Sequence, residues 1–365
     1  MVKEVRPTAL SLNPSQKPSV FFLYTELGGY TLACMKKLAS TGVDVHVVHF
    51  PVNNEAPFKL DATPGLLYYQ NSEFSREELL QIVRSKSPSL IVCSGWVDKN
   101  YLYVCRKMRG SCQLALAIDN QWRSTWKQRF GSLFARWSFI RYFDHIWVPG
   151  KRQVTYARKM GVSESKVHTG FYCCDVKLYE DYYQSTSFSK RKNLPKRFLY
   201  VGRYFDYKGV SDLWEAFSDL HKEFPNEWEL WCVGMGDLVP PPHPSIRHFG
   251  FVQPNEMVDV IRNTSVFVMP SRFDQWGVAL QEFCIAGYPV LCSDRVGASD
   301  TFLEEGVNGF GFTGEDISGL KEAMKRIVLL EEEQLHQMGE RSHLKGLLIT
   351  PESWLQTVNE LMKNE

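Results

Sequence analysis

The sequence predicts two doubly wound α/β domains in succession, facing each other across a cleft. Three observations predict this. Short apolar runs alternate with amphipathic stretches, the rhythm of parallel strands covered on both faces by helices. The rhythm breaks once near the middle and then restarts. The chain has 365 residues, 44% of them hydrophobic, enough for two cores and too many for one typical domain.

In the first half, strands are expected at Val20–Tyr24, Val43–Phe50, Gly65–Gln70, Leu90–Ser94, Gln113–Ile118 and Ile146–Pro149. Helices between them include Gly29–Ser40 and Ser75–Ser85, where Ser75 can cap and Glu77 and Glu78 suit the positive end of the dipole. Tyr179–Lys196 is polar and lacks a core pattern, so it reads as a linker. The second half gives strands at Phe198–Val201, Glu229–Val233, Ile246–Phe251, Val266–Pro270 and Val290–Ser293, with helices at Val210–Phe224 and Asn255–Arg262. The expected divisions are 1–182 and 183–349, with a closing helix in 350–365 that Thr350 caps and Pro351 opens.

Composition narrows the function. A net charge of +1 provides no global field to draw in nucleic acid. Nine cysteines, an odd number with no C-x-x-C pair, sit mostly in apolar runs and read as small buried hydrophobes in a reducing compartment. The first residues lack the apolar core of a signal peptide, and no stretch approaches a membrane span, so a cytoplasmic location is expected.

Glycine-rich turns that follow strands and feed helices can hold anions on outward-pointing backbone N–H groups. Candidates are Gly28 and Gly29, Gly202, Val233–Asp237 with Gly236, and Gly277 with Val278. A glycine after a strand is more often only a turn, and no dinucleotide or Walker fingerprint is present. VGRYFDYKG, Val201–Gly209, is more specific. Arg203 and Lys208 stand at the end of a parallel strand, where they can hold a diphosphate, or they are two solvated surface cations. In the run Met269–Leu291, Asp274 precedes a helix and can face the cleft, and Glu282 lies on that helix. Carboxylates so placed accept hydrogen bonds from ribose and sugar hydroxyls; the plainer reading of Glu282 is a surface acid.

These elements resemble the retaining GT-B glycosyltransferases of family 4. The resemblance rests on VGR…KG, the Val233–Gly236 turn, HFGFV at His248–Val252, the paired acids before G-x-PV, and GVNGF at Gly306–Phe310. It is specific over residues 197–312 and looser elsewhere. It implies that Arg203 and Lys208 bind the donor diphosphate, Asp274 contacts the donor sugar, Gly277 and Val278 offer N–H groups to phosphate, and Glu282 binds ribose. It further implies that Gly28 and Gly29 let the first loop approach the donor, and that the closing helix with Trp354 crosses back to the first domain. The sequence departs from the family in two ways. Asp274 replaces the usual first Glu, and the middle strand reading LALAIDNQW has Asp119 or Asn120 where many relatives carry His.

Cleavage of the donor builds negative charge on the β-phosphate, which Arg203 and Lys208 are placed to stabilise. No D-x-D occurs, so activity without a metal cofactor is expected, with a nucleotide-diphosphate sugar, UDP- or GDP-linked, as donor substrate. The acceptor is expected to be a glycan or a lipid-linked sugar, with surface polysaccharide assembly as the setting. Competing readings are a non-catalytic sugar-nucleotide-binding subunit and a GT-B epimerase. Trp122–Phe143 holds five cations and no acid, and Trp122, Trp126, Phe130, Leu133, Trp137 and Ile140 share one helical stripe. Two readings stand side by side: an anionic membrane surface binds there, at the inner face of the cell membrane, or the stripe packs on the sheet.

Overall fold

The computed structural model describes residues 17–51, 60 and 62–363. The first sheet contains β1 (Ser19–Tyr24), β2 (Asp44–His49), β3 (Leu66–Gln70), β4 (Leu90–Ser94), β5 (Gln113–Ala117), β6 (His145–Trp147) and β7 (Val167–His168), in the order β3-β2-β1-β4-β5-β6-β7. The second contains β8 (Arg197–Val201), β9 (Glu229–Val233), β10 (Ile246–His248), β11 (Val266–Met269), β12 (Val290–Ser293) and β13 (Gly309–Phe312), in the order β10-β9-β8-β11-β12-β13. Every ladder between these strands is parallel.

Both faces of each sheet are covered, which is why the strands read as continuous apolar runs. In β1, Val20, Phe22 and Tyr24 enter one core layer and Phe21 and Leu23 the other. In β8, Phe198 and Tyr200 face one layer and Leu199 the opposite one. Strand order reverses between β1 and β4 and again between β8 and β11. Connections diverge at these points and leave crevices beyond the carboxyl ends of the strands.

Several expectations need correction. Tyr179–Lys196 does run between β7 of the first sheet and β8 of the second, but it has a core pattern after all. It lies largely in the helix Val176–Lys192, which Asp175 caps and which buries Tyr179, Tyr182 and Thr186. Its polar sequence hid this because one narrow aromatic edge makes the contact. The expected boundary at residue 183 falls inside this helix. Two edge strands, β7 and β13, are too short to show a period. β10 ends at His248 rather than Phe251. Trp122–Phe143 is not one helix: Trp126–Ser138 is helical, and a short 3-10 turn, Ile140–Tyr142, follows.

The helix Pro351–Leu361 opens with a capping box from Thr350 and Ser353 and returns to the first sheet. Trp354 stacks against Phe22 and Trp147 and donates from Nε1 to the Phe171 carbonyl at 3.1 Å.

Candidate active site

The carboxyl ends of β1 and β5 face those of β8 and β11, and the charged residues singled out by sequence meet there. Lys208 donates from Nζ to Asp274 Oδ2 at 2.6 Å, and both side chains are mostly enclosed. The backbone explains how they meet. Gly209 has φ +66°, and a Cβ there would lie 2.2 Å from the Pro270 carbonyl oxygen, so only glycine lets the turn after β8 touch the end of β11. Arg272 ties the same two loops by binding Asp212 through two nitrogens, at 2.9 and 2.6 Å, and Asp206 at 2.7 Å. Burial of Asp212 makes this a firm strut.

Arg203 follows β8 directly. Its guanidinium donates to Tyr207 Oη at 2.6 Å and lies 5.4 Å from the Phe205 ring. Gly277 precedes the helix Val278–Ile285 with φ +91°, and that helix has no side-chain cap and no acid in its first turn. The helix Gly29–Ser40, entered through Gly28, is likewise uncapped and free of acid in its first turn. Neither terminus spends its N–H groups on a side-chain cap, and both keep their positive dipole end for an anion.

Four carboxylates from the two domains converge on Tyr30. Burial pushes its hydroxyl far above the ordinary tyrosine range, and Glu26, Asp119, Asp274 and Glu282 push it further. Asp119 accepts from Tyr172 Oη at 3.1 Å. Burial raises its carboxyl, and the negative charges of Glu26 and Asp274 add to the effect. Glu282 is half-buried and meets Tyr179; burial pushes its carboxyl up to about 7. It is therefore no ordinary surface acid.

Two of the glycines serve packing. A Cβ on Gly202 would lie 2.8 Å from Tyr200 Oη, and one on Gly236 would lie 2.6 Å from the Tyr204 carbonyl oxygen. The Gly202 N–H is used by the Val233 carbonyl at 3.0 Å, so that amide belongs to the sheet rather than to an anion nest.

Sequence reasoning missed the residues that hold the domains together. Gln121 donates from Nε2 to the carbonyls of Asp274, at 2.6 Å, and Gln275, at 3.1 Å, and its own N–H reaches Gln275 Oε1 at 3.0 Å. Gln153 bridges the carbonyls of Asp119 and Gln275 at 3.1 and 2.7 Å. Arg152 grips Asp300, Ser299 Oγ and the Asp294 carbonyl. Only the polar cluster Asp119–Gln121 after a strand hinted at this, because glutamine carries no signature.

Residues 184–345 match the family model of glycosyl transferases group 1.

The fold is that of the GT-B glycosyltransferases. The chain superposes on a Rickettsia africae glycosyltransferase with TM-score 0.73 and 13% identity, over 96% of this chain and 100% of that one. It superposes on Anabaena HepE in complex with UDP-glucose with TM-score 0.67 and 15% identity, over 94% and 98%. Among curated proteins it is 25% identical to a glycogen synthase of Mycobacterium tuberculosis over 143 residues, 37% of this chain and 34% of that protein. The match thus spans about a third of that relative. The GT-B frame accounts for the GVNGF segment: buried Asn308 receives the Glu304 N–H and donates to the Phe302 carbonyl, fixing the turn into β13.

Proposed function

We propose that this chain is a retaining glycosyltransferase that moves a sugar from a nucleotide-diphosphate donor to a glycan or lipid-linked acceptor, without a metal ion. The observation that carries this is the Lys208–Asp274 pair in a cleft it shares with Glu282 and Tyr30. The pair is a charge reserve. A donor diphosphate draws Lys208 away, and Asp274 is then released to accept a sugar hydroxyl. Arg203, beside the same strand end, and the two uncapped helix termini receive the rest of the phosphate charge. Positive charge fixed there stabilises the departing nucleotide more than the intact donor, which is the requirement for rate acceleration. Glu282, once ionised, accepts from ribose hydroxyls. Asp119, across the cleft, is the residue we assign to the sugar's reacting face and the acceptor.

UDP-glucose is the first donor to try, since the HepE structure has that molecule bound. All nine cysteines are free thiols, in keeping with a cytoplasmic reaction, and surface polysaccharide assembly is the setting we propose. A thermal-shift panel of UDP, GDP and their sugars, with and without EDTA, tests the reading on wild type and Arg203→Ala. The expected result is a shift with one nucleotide class that survives EDTA and is lost in the variant. No shift with any nucleotide overturns the proposal. A product with inverted linkage, read by NMR, overturns retention alone.

A further inference from the structure

The helix Trp126–Ser138 is built inside out. Its inward face is small and polar: Ser132 and Ala135 are buried, and Gln128 is half-buried. Gln128 accepts from the Arg123 N–H at 2.6 Å and donates to the Gln121 carbonyl at 2.8 Å. The opposite face carries Trp126, Phe130, Leu133, Phe134 and Trp137, each between 67% and 73% exposed. At about 100° per residue these five occupy an arc of roughly 100°. Lys127 lies on one margin of the arc, and Arg129 and Arg136 on the other. The reading in which this stripe packs on the sheet is therefore wrong: only Trp122 and Ile140, outside the helix, are partly covered.

We infer that this face docks on an anionic lipid bilayer. Aromatic side chains between two rows of cations suit the boundary where headgroups meet acyl chains. The segment from Trp122 to Phe143 contains no acid. A second copy of the chain would present the same positive charge, so self-association through this face is opposed by repulsion, whereas anionic headgroups complement it. The helix stands at the rim of the cleft: Gln121, which Gln128 holds, reaches the Asp274 carbonyl at 2.6 Å. Docking would hold the cleft beside the lipid surface, where a lipid-linked acceptor lies. That last consequence rests on the proposed transfer reaction; the docking does not.

Co-sedimentation with phosphatidylcholine vesicles, with and without phosphatidylglycerol, tests the inference. The expected result is binding to the phosphatidylglycerol vesicles that weakens as salt rises. Phe130→Ser/Phe134→Ser/Trp137→Ser is expected to lower the partition coefficient at least tenfold, and each of Lys127→Gln and Arg136→Gln about fivefold. All these positions are exposed, so the variants should fold, and an unchanged nucleotide thermal shift would confirm it. Failure of the wild type to sediment with phosphatidylglycerol vesicles at low salt overturns the inference. So does a triple variant that binds as well as wild type, or a concentration-dependent dimer that the triple variant abolishes. Docking lost with sugar transfer intact would leave the enzymatic reading standing; docking intact without nucleotide binding would leave this one.

Discussion

Glu282 shows most clearly how burial sets chemistry at single residues. Its carboxyl is pushed from an ordinary 4.5 up to about 7 by burial. The sign follows from proton counting. Between those values the folded chain holds a proton that the unfolded chain has released, so this group makes stability fall as pH rises through the window. Glu282→Gln is expected to raise stability at pH 8 by roughly 1–3 kcal/mol and to change it little at pH 4. Donor affinity in the same variant should fall and lose its rise between pH 6 and 8, readable by calorimetry. A variant less stable than wild type at pH 8 would contradict the assignment. Lys208 and Asp274 carry the complementary lesson. Each neutralises the other, so neither is left as an uncompensated charge in the enclosed cleft.

At the scale of elements, the loops after β8 and β11 work as one body because Arg272 spans them. Arg272→Ala leaves the Asp212 carboxylate buried without its partner, which is expected to cost about 3 kcal/mol. The loop carrying Asp274 would then lose its support. Denaturant unfolding reads the first effect, and a donor KM that rises more than kcat falls reads the second. The capped helices Arg76–Ser85 and Pro351–Leu361 form from local chemistry alone, with reciprocal side-chain and backbone bonds at each first turn. Helix Trp126–Ser138 begins with the same chemistry, Thr125 accepting from the Gln128 N–H, but its orientation is set by the Gln128–Gln121 contact rather than by its apolar stripe.

For the whole molecule, polar bridges join the two sheets alongside apolar contacts such as Trp276 against Gly150. Gln121, Gln153 and Arg152 cross the cleft, and Trp354 anchors the returning helix in the first core. Bridges of this kind are far weaker than a core. Gln121→Ala/Arg152→Ala is expected to keep the melting temperature within a few degrees, to enlarge the radius of gyration in small-angle scattering, and to lower kcat by about tenfold or more. Unchanged scattering would show that other contacts hold the two domains together.

The apolar runs alone carry the two parallel sheets and most strand positions, and they make Arg203, Lys208, Asp274 and Glu282 stand out as candidates. Buried parallel strands must be apolar throughout, and charges at their ends stand out against that background. Which of these groups meet depends on the folded chain. Folding paired Lys208 with Asp274 through the close approach at Gly209, placed Gly202 against Tyr200, made a helix of Tyr179–Lys192, and faced the aromatic stripe of Trp126–Ser138 outward. The physical reason is common to all four. Periodicity reports that a face is apolar or a turn is tight, whereas burial, pairing and direction depend on contacts between residues far apart in the chain.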